Sequence, residues 1–115
     1  VKIIHIITFL EKKMNDKEKI LINKFLNKYC NDLEVISVLD DNYITLGRKK
    51  DSQRVFLYHS KSGNLFANND RILDPIVKMF NTDYAETQEY IKNWIFENYN
   101  IKSKKLIGMD PLKKI

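Results

Sequence analysis

With 115 residues the chain has material for one domain, since two would each be too small to bury a sound core. Apolar residues make up 43%, aromatics 11% and charged residues 30%, with 3 Gly and 2 Pro, which excludes collagen-like, disulfide-rich and low-complexity chains. The net charge of +5 permits an acidic or nucleic-acid partner, yet 17 Lys stand against 3 Arg beside 12 Asn and 15 Ile, the bias of AT-rich codons, as in an AT-rich genome or mobile element.

The run Val1 to Leu10 contains Lys2 and His5 and falls far short of the ~20 residues that cross a bilayer, so no membrane association is expected. Glu11-Lys12-Lys13-Met14 offers no small residues for leader cleavage. Ile3, Ile6, Ile7, Leu10 and Met14 have helical spacing, whereas the β-branched Val1, Ile3, Ile4, Ile6, Ile7 and Thr8 favour a strand, and periodicity leaves both open. Met14-Asn15-Asp16-Lys17 reads like a translation start, which would make residues 1–13 an upstream extension.

Asn15 with Glu18 has the form of a capping box and opens a helix over about 16–30, with Ile20, Leu21, Phe25, Leu26 and Tyr29 as its apolar stripe. Between 34 and 67 the period becomes two. Val35–Leu39, Tyr43–Leu46, Val55–Tyr58 and Leu65–Ala67, separated by turn-forming clusters, predict an antiparallel meander of three to four strands. Asp74-Pro75 reads as N-cap and first helical residue of a helix over about 75–81. Asp83 and Glu86 form a second capping box ahead of a helix over about 84–99, whose apolar side carries Tyr84, Ile91, Trp94, Ile95 and Asn98. Residues 101–107 read as a last strand or arm, and 108–115 as a tail. The expected architecture is α+β, one domain over 1–107, with the helices packed on one face of the sheet.

The chemistry is thin. Cys30 is the single cysteine, which removes any intramolecular disulfide or cysteine-based zinc cluster and suits a cytoplasmic location; at a helix end beside Tyr29 it reads as an inert thiol. His5 reads as structural. His59 ends a strand, and its spacing to Lys61 resembles the phospholipase D signature, but that signature needs an aspartate where this chain has Phe66. Asp40-Asp41 occupies a hairpin tip, and Gly47, Gly63 and Gly108 are too dispersed for a phosphate loop. No catalytic residue, metal or cofactor is expected, and the protein reads as non-enzymatic.

The meander offers Tyr43, Phe56, Tyr58 and Phe66 among cations, the ingredients of nucleic-acid binding through a sheet. Val55-Phe56-Leu57-Tyr58-His59-Ser60 resembles the second ribonucleoprotein motif of cold-shock domains over those six residues, without its companion motif. Strand alternation sends Phe56 and Tyr58 to one face, Val55 and Leu57 to the other, so Phe56 and Tyr58 are expected in the core, as is Trp94. Charge is uneven: +3 over 1–33, +1 over 34–67, −3 over 68–100 and +4 over 101–115. The favoured reading is a small binding protein that docks on a protein partner. The alternative is a nucleic-acid-binding module that uses Arg48, Lys49, Lys50, Arg54 and Lys61 of the hairpin edge with Lys102, Lys104 and Lys105 of the arm.

Overall fold

A computed structural model describes residues 14–40 and 42–101. The tail, the lysine arm, His5 with the rest of residues 1–13, and Asp41 lie outside these residues.

Helix α1 (Asp16–Tyr29) starts at the expected box: the Asn15 side chain accepts from the Glu18 N–H at 2.8 Å, and the Asn15 N–H donates to Glu18 Oε1 at 3.1 Å. Its buried line differs from the expected stripe. Ile22, Leu26 and Cys30, spaced by four, are all fully buried, whereas Ile20 and Leu21 are exposed. An i, i+4, i+8 row lies along one side of the helix, and that row faces the core.

Four strands follow, β1 (Leu33–Leu39), β2 (Tyr43–Arg48), β3 (Arg54–His59) and β4 (Asn64–Ala67), hydrogen-bonded in that order as one antiparallel sheet. Each connection contains a left-handed residue, Asp40, Ser52 or Gly63, as turn chemistry requires. Cross-strand register puts Val35, Leu46, Phe56 and Ala67 in one row, and Val38, Ile44, Tyr58 and Leu65 in the next. Those rows form the inner face and share one core with Ile22, Leu26, Ile72, Ile76, Ile91, Trp94 and Ile95 of the helical segments. The fold is α+β, with the helices on one face of the sheet.

Two bulges modify strict alternation. In β3 the register slips between Leu46 and Gly47, which face Phe56 and Arg54, so Val55 is the extra residue. Val55 is therefore buried beside Phe56 rather than opposite to it, and Arg54 turns outward. In β1 the slip falls at Ile36, whose Cδ1 lies 2.9 Å from where a Cβ on Gly47 would sit, with the Gln53 carbonyl oxygen 2.8 Å from the same point. Only glycine fits there.

Beyond β4 a π-helical turn (Asn69–Leu73) runs straight into α2 (Asp74–Phe80). Asp74 is not the expected N-cap: it is already helical and its N–H donates to the Asn69 carbonyl, because the π turn supplies the acceptor that a cap would otherwise replace. Asn81, left-handed, ends α2. The buried Thr82 and Thr87 hydroxyls pair at 2.5 Å, and Thr87 Oγ1 donates to the Asp83 carbonyl at 2.6 Å, fixing the turn into α3 (Tyr84–Asn98).

Asp83 caps α3 through the Glu86 N–H at 3.0 Å. The expected return bond gives way to a longer tie, in which Glu86 Oε1 accepts from the Met14 N–H at 2.5 Å and fastens the start of α1 to the start of α3. Thr87, Ile91, Trp94 and Ile95 form the buried side of α3, while Tyr84, expected among them, is exposed.

The outer edge of β4 is occupied by a side chain. Gln88 Nε2 donates to the Leu65 carbonyl at 3.0 Å and Gln88 Oε1 accepts from the Ala67 N–H at 3.3 Å, so one amide imitates the next strand. Gln88→Ala is expected to cost about 1–3 kcal/mol for the two lost bonds and to promote edge-to-edge association. Urea unfolding with light scattering measures both; a change within about 0.5 kcal/mol and no added scattering would show that water serves the edge equally well.

Candidate functional site

The outer face of the sheet, opposite the helices, carries two cross-strand rows. Leu39, Tyr43, His59 and Asn64 form one, and Ser37, Thr45, Leu57 and Phe66 the other. Neither row contains an Asp, Glu, Lys or Arg side chain. Leu39 is 62% exposed, Phe66 51%, Tyr43 39% and Leu57 38%, so this face holds four large apolar side chains in solvent, Leu39 paired with Tyr43 and Leu57 with Phe66 across neighbouring strands. The Tyr43 and His59 rings stack at 4.5 Å, and His59 Nδ1 lies 2.5 Å from Ser62 Oγ, which fixes the imidazole at the strand end.

This face continues past Phe66 into a groove of about 840 Å³, walled by Thr45, Leu57 and Phe66 on the sheet side and by Leu73, Tyr84 and Gln88 on the helical side, with Arg54 and Asp70 also on its lining. A smaller, polar hollow of about 340 Å³ adjoins it and shares Arg54, Asn68 and Asp70; Ser52, Gln53 and Arg71 complete its wall.

The hairpin cations are divided between the two ends of the sheet, and one of them is ion-paired. Arg48 is paired with Asp51 through two hydrogen bonds, and its guanidinium lies 4.2 Å from the Tyr29 ring centre. The hydrogen bond from Arg48 holds the Asp51 carboxyl below the ordinary carboxylate value, and burial raises the Tyr29 phenol despite the opposing pull of Arg48. Lys49 and Lys50 are exposed in the β2–β3 turn, whereas Lys61 is in the β3–β4 turn at the other end of the sheet. Lys102, Lys104 and Lys105 lie outside the described residues.

The aromatic set also divides. Phe56 and Tyr58 are buried, as expected from alternation, and Tyr43 and Phe66 are exposed. Cys30 is fully buried at the end of α1, where its carbonyl accepts from the Tyr99 hydroxyl, so it cannot meet His59 on the outer face. Among the described residues no three His, Cys, Asp or Glu side chains converge on a metal position, and no helix is long and apolar enough to cross a membrane.

Two residues of the site, Arg71 and Leu57, are not marked as site residues by the sequence. Arg71 lies between the last expected strand and Asp74-Pro75, in a stretch with no periodicity or motif to mark it. Leu57 was visible by alternation as the residue opposite Phe56 and Tyr58, but its solvent exposure depends on the helices choosing the other face. A scan against protein-family models finds no match, and neither do searches of curated proteins and of solved structures.

Proposed function

We propose that the protein is a non-enzymatic binding protein that docks on a protein partner through the outer face of its sheet. The carrying observation is the cluster Leu39, Tyr43, Leu57 and Phe66, exposed on rows that hold no Asp, Glu, Lys or Arg. A flat apolar face is matched by an apolar protein segment, whose own burial supplies the binding energy. Arg54 at the border of the face selects a segment with an anionic group beside its apolar residues. A polyanionic strand is served less well, because Arg48 is already neutralised and Lys61 stands at the far end of the sheet. A reducing, cytoplasmic setting belongs to this reading, since the one cysteine is buried and serves packing.

The test is capture from the native host with the wild type and with a Leu57→Lys, Phe66→Lys double variant, followed by titration of the purified captured protein. Both positions are substantially exposed, so the double variant should keep its fold, while partner affinity is expected to fall about 30-fold or more. Ile20→Lys, an exposed apolar position on α1, should leave affinity unchanged. A partner held equally well by the double variant would overturn the proposal. So would nuclease-sensitive material whose log affinity falls with log salt by about 0.7 per contact over several contacts, which is the signature of single-stranded nucleic acid.

A further inference from the structure

All three arginines of this lysine-rich chain lie at one end of the sheet. Arg48 closes β2, Arg54 opens β3, and Arg71 sits in the π turn that leaves β4. Their commitments differ. Arg48 is held by Asp51 and Tyr29, whereas among the described residues neither Arg54 nor Arg71 forms an ion pair with a carboxylate. Those two guanidinium side chains line the same polar hollow of about 340 Å³.

We infer that Arg54 and Arg71 receive a single phosphoryl group, carried by the protein segment that docks on the sheet face; the carrier rests on the docking reading above, the site itself does not. Guanidinium groups present paired N–H donors that match the oxygens of a phosphoryl group, which a lysine ammonium cannot imitate. The local backbone prepares the pair. The Val55 bulge turns Arg54 outward, and the Asn68 N–H donates to the Val55 carbonyl at 2.8 Å. The Asn68 side chain in turn accepts from the Arg71 N–H at 3.1 Å. One asparagine thus ties together the two segments that bear the arginines, which lowers the ordering needed on binding.

The rest of the lining favours one phosphoryl group over a nucleic-acid backbone. Ser52, Gln53 and Asn68 add neutral hydrogen-bonding groups, and Asp70 adds a negative charge on the same wall. The two arginines and Asp70 give the lining a net charge of +1, which attracts a single phosphoryl group but is too small to hold a run of backbone phosphates. Because Arg54, Asn68 and Asp70 also line the groove beside Leu57 and Phe66, a peptide could place apolar residues in the groove and its phosphorylated side chain in the hollow.

The experiment titrates the full chain, isotopically labelled, with inorganic phosphate, O-phosphoserine, acetate and single-stranded oligothymidylate at fixed ionic strength, following backbone amide signals. Phosphate and phosphoserine are expected to give saturable shifts confined to Ser52, Gln53 and the segment 68–71, with acetate weaker by about tenfold or more. Arg54→Gln and Arg71→Gln should each weaken phosphate binding about tenfold or more. Arg54→Lys, which keeps the charge and tests the fork, should fall between wild type and Arg54→Gln. Unchanged dispersion of the remaining amide signals verifies the fold of each variant.

Absence of saturation in the millimolar range, or acetate binding as tightly as phosphate, would overturn the assignment. Oligothymidylate binding far more tightly than phosphoserine, with a salt dependence of several contacts, would overturn it in favour of nucleic acid. The Leu57→Lys, Phe66→Lys variant separates this proposal from docking. Phosphate binding that persists when that variant still holds its partner defeats docking alone, and loss of the partner without any phosphate site defeats the phosphoryl receptor alone.

Discussion

Replacement of Trp94 by alanine is expected to lower the free energy of unfolding by about 3–5 kcal/mol, the range for removing a buried large aromatic. The indole is 5% exposed on the inner side of α3, between Ile91 and Ile95, and meets the Tyr99 ring edge-on at 6.1 Å between centres. Its neighbours come from a strand-backed core that cannot collapse into the space without moving α3, so the cavity term adds to the lost transfer energy. Urea unfolding measures the effect directly. A loss under about 1 kcal/mol would mean that the tryptophan behaves as a surface residue and contradict its place in the core.

Tyr99 gives the second large effect, and it depends on pH. Burial first, with the nearby Cys30 and Asp32 adding, pushes its phenol up to about 12, against about 10 in an unfolded chain. The folded state therefore holds this proton more tightly. Its contribution is complete below pH about 10 and is lost as pH rises towards about 12, an amount of about 3 kcal/mol for a shift of that size. The Tyr29 and Tyr90 phenols are raised as well, chiefly by burial, and act in the same direction. Tyr99→Phe should cost about 1 kcal/mol near neutrality, where it loses the bond to the Cys30 carbonyl, yet should resist alkali better than the wild type. Unfolding free energies of the two proteins across this range must converge and cross. Parallel curves would show that some other group governs alkaline unfolding.

Local signals were legible where a single stretch of chain settles the outcome. The Asn15–Glu18 box, the turn residues at 40, 52 and 63, and the alternation that buries Phe56 and Tyr58 all act over a few residues. Features that need a distant partner were not. Glu86 is locally suited to bond back to Asp83, but Met14, 72 residues away, takes it. Asp74-Pro75 looks like a helix start until the preceding π turn continues into it. The bulges at Ile36 and Val55 have no marker in composition, and they decide that Val55 enters the core and Arg54 leaves it. The candidate site shows the same division. Tyr43, Phe66 and Arg54 stood among the residues singled out in the meander, whereas their separation from Phe56, Tyr58 and Arg48 follows from which face the helices cover and which arginine finds Asp51.

Cys30, fully buried between α1 and β1 with its carbonyl bound by Tyr99, is shielded from any reagent dissolved in water while the core stays shut. The lone thiol is therefore a built-in clock. With a fast modifier in large excess, each molecule is marked the first time its interior opens, and the rate of marking counts openings per second; with a slow modifier, the same residue reports the fraction of time spent open. Because no second cysteine competes, both readings come from the unaltered chain, and any ligand that seats on the sheet and stiffens the fold will slow the clock without touching the sulfur.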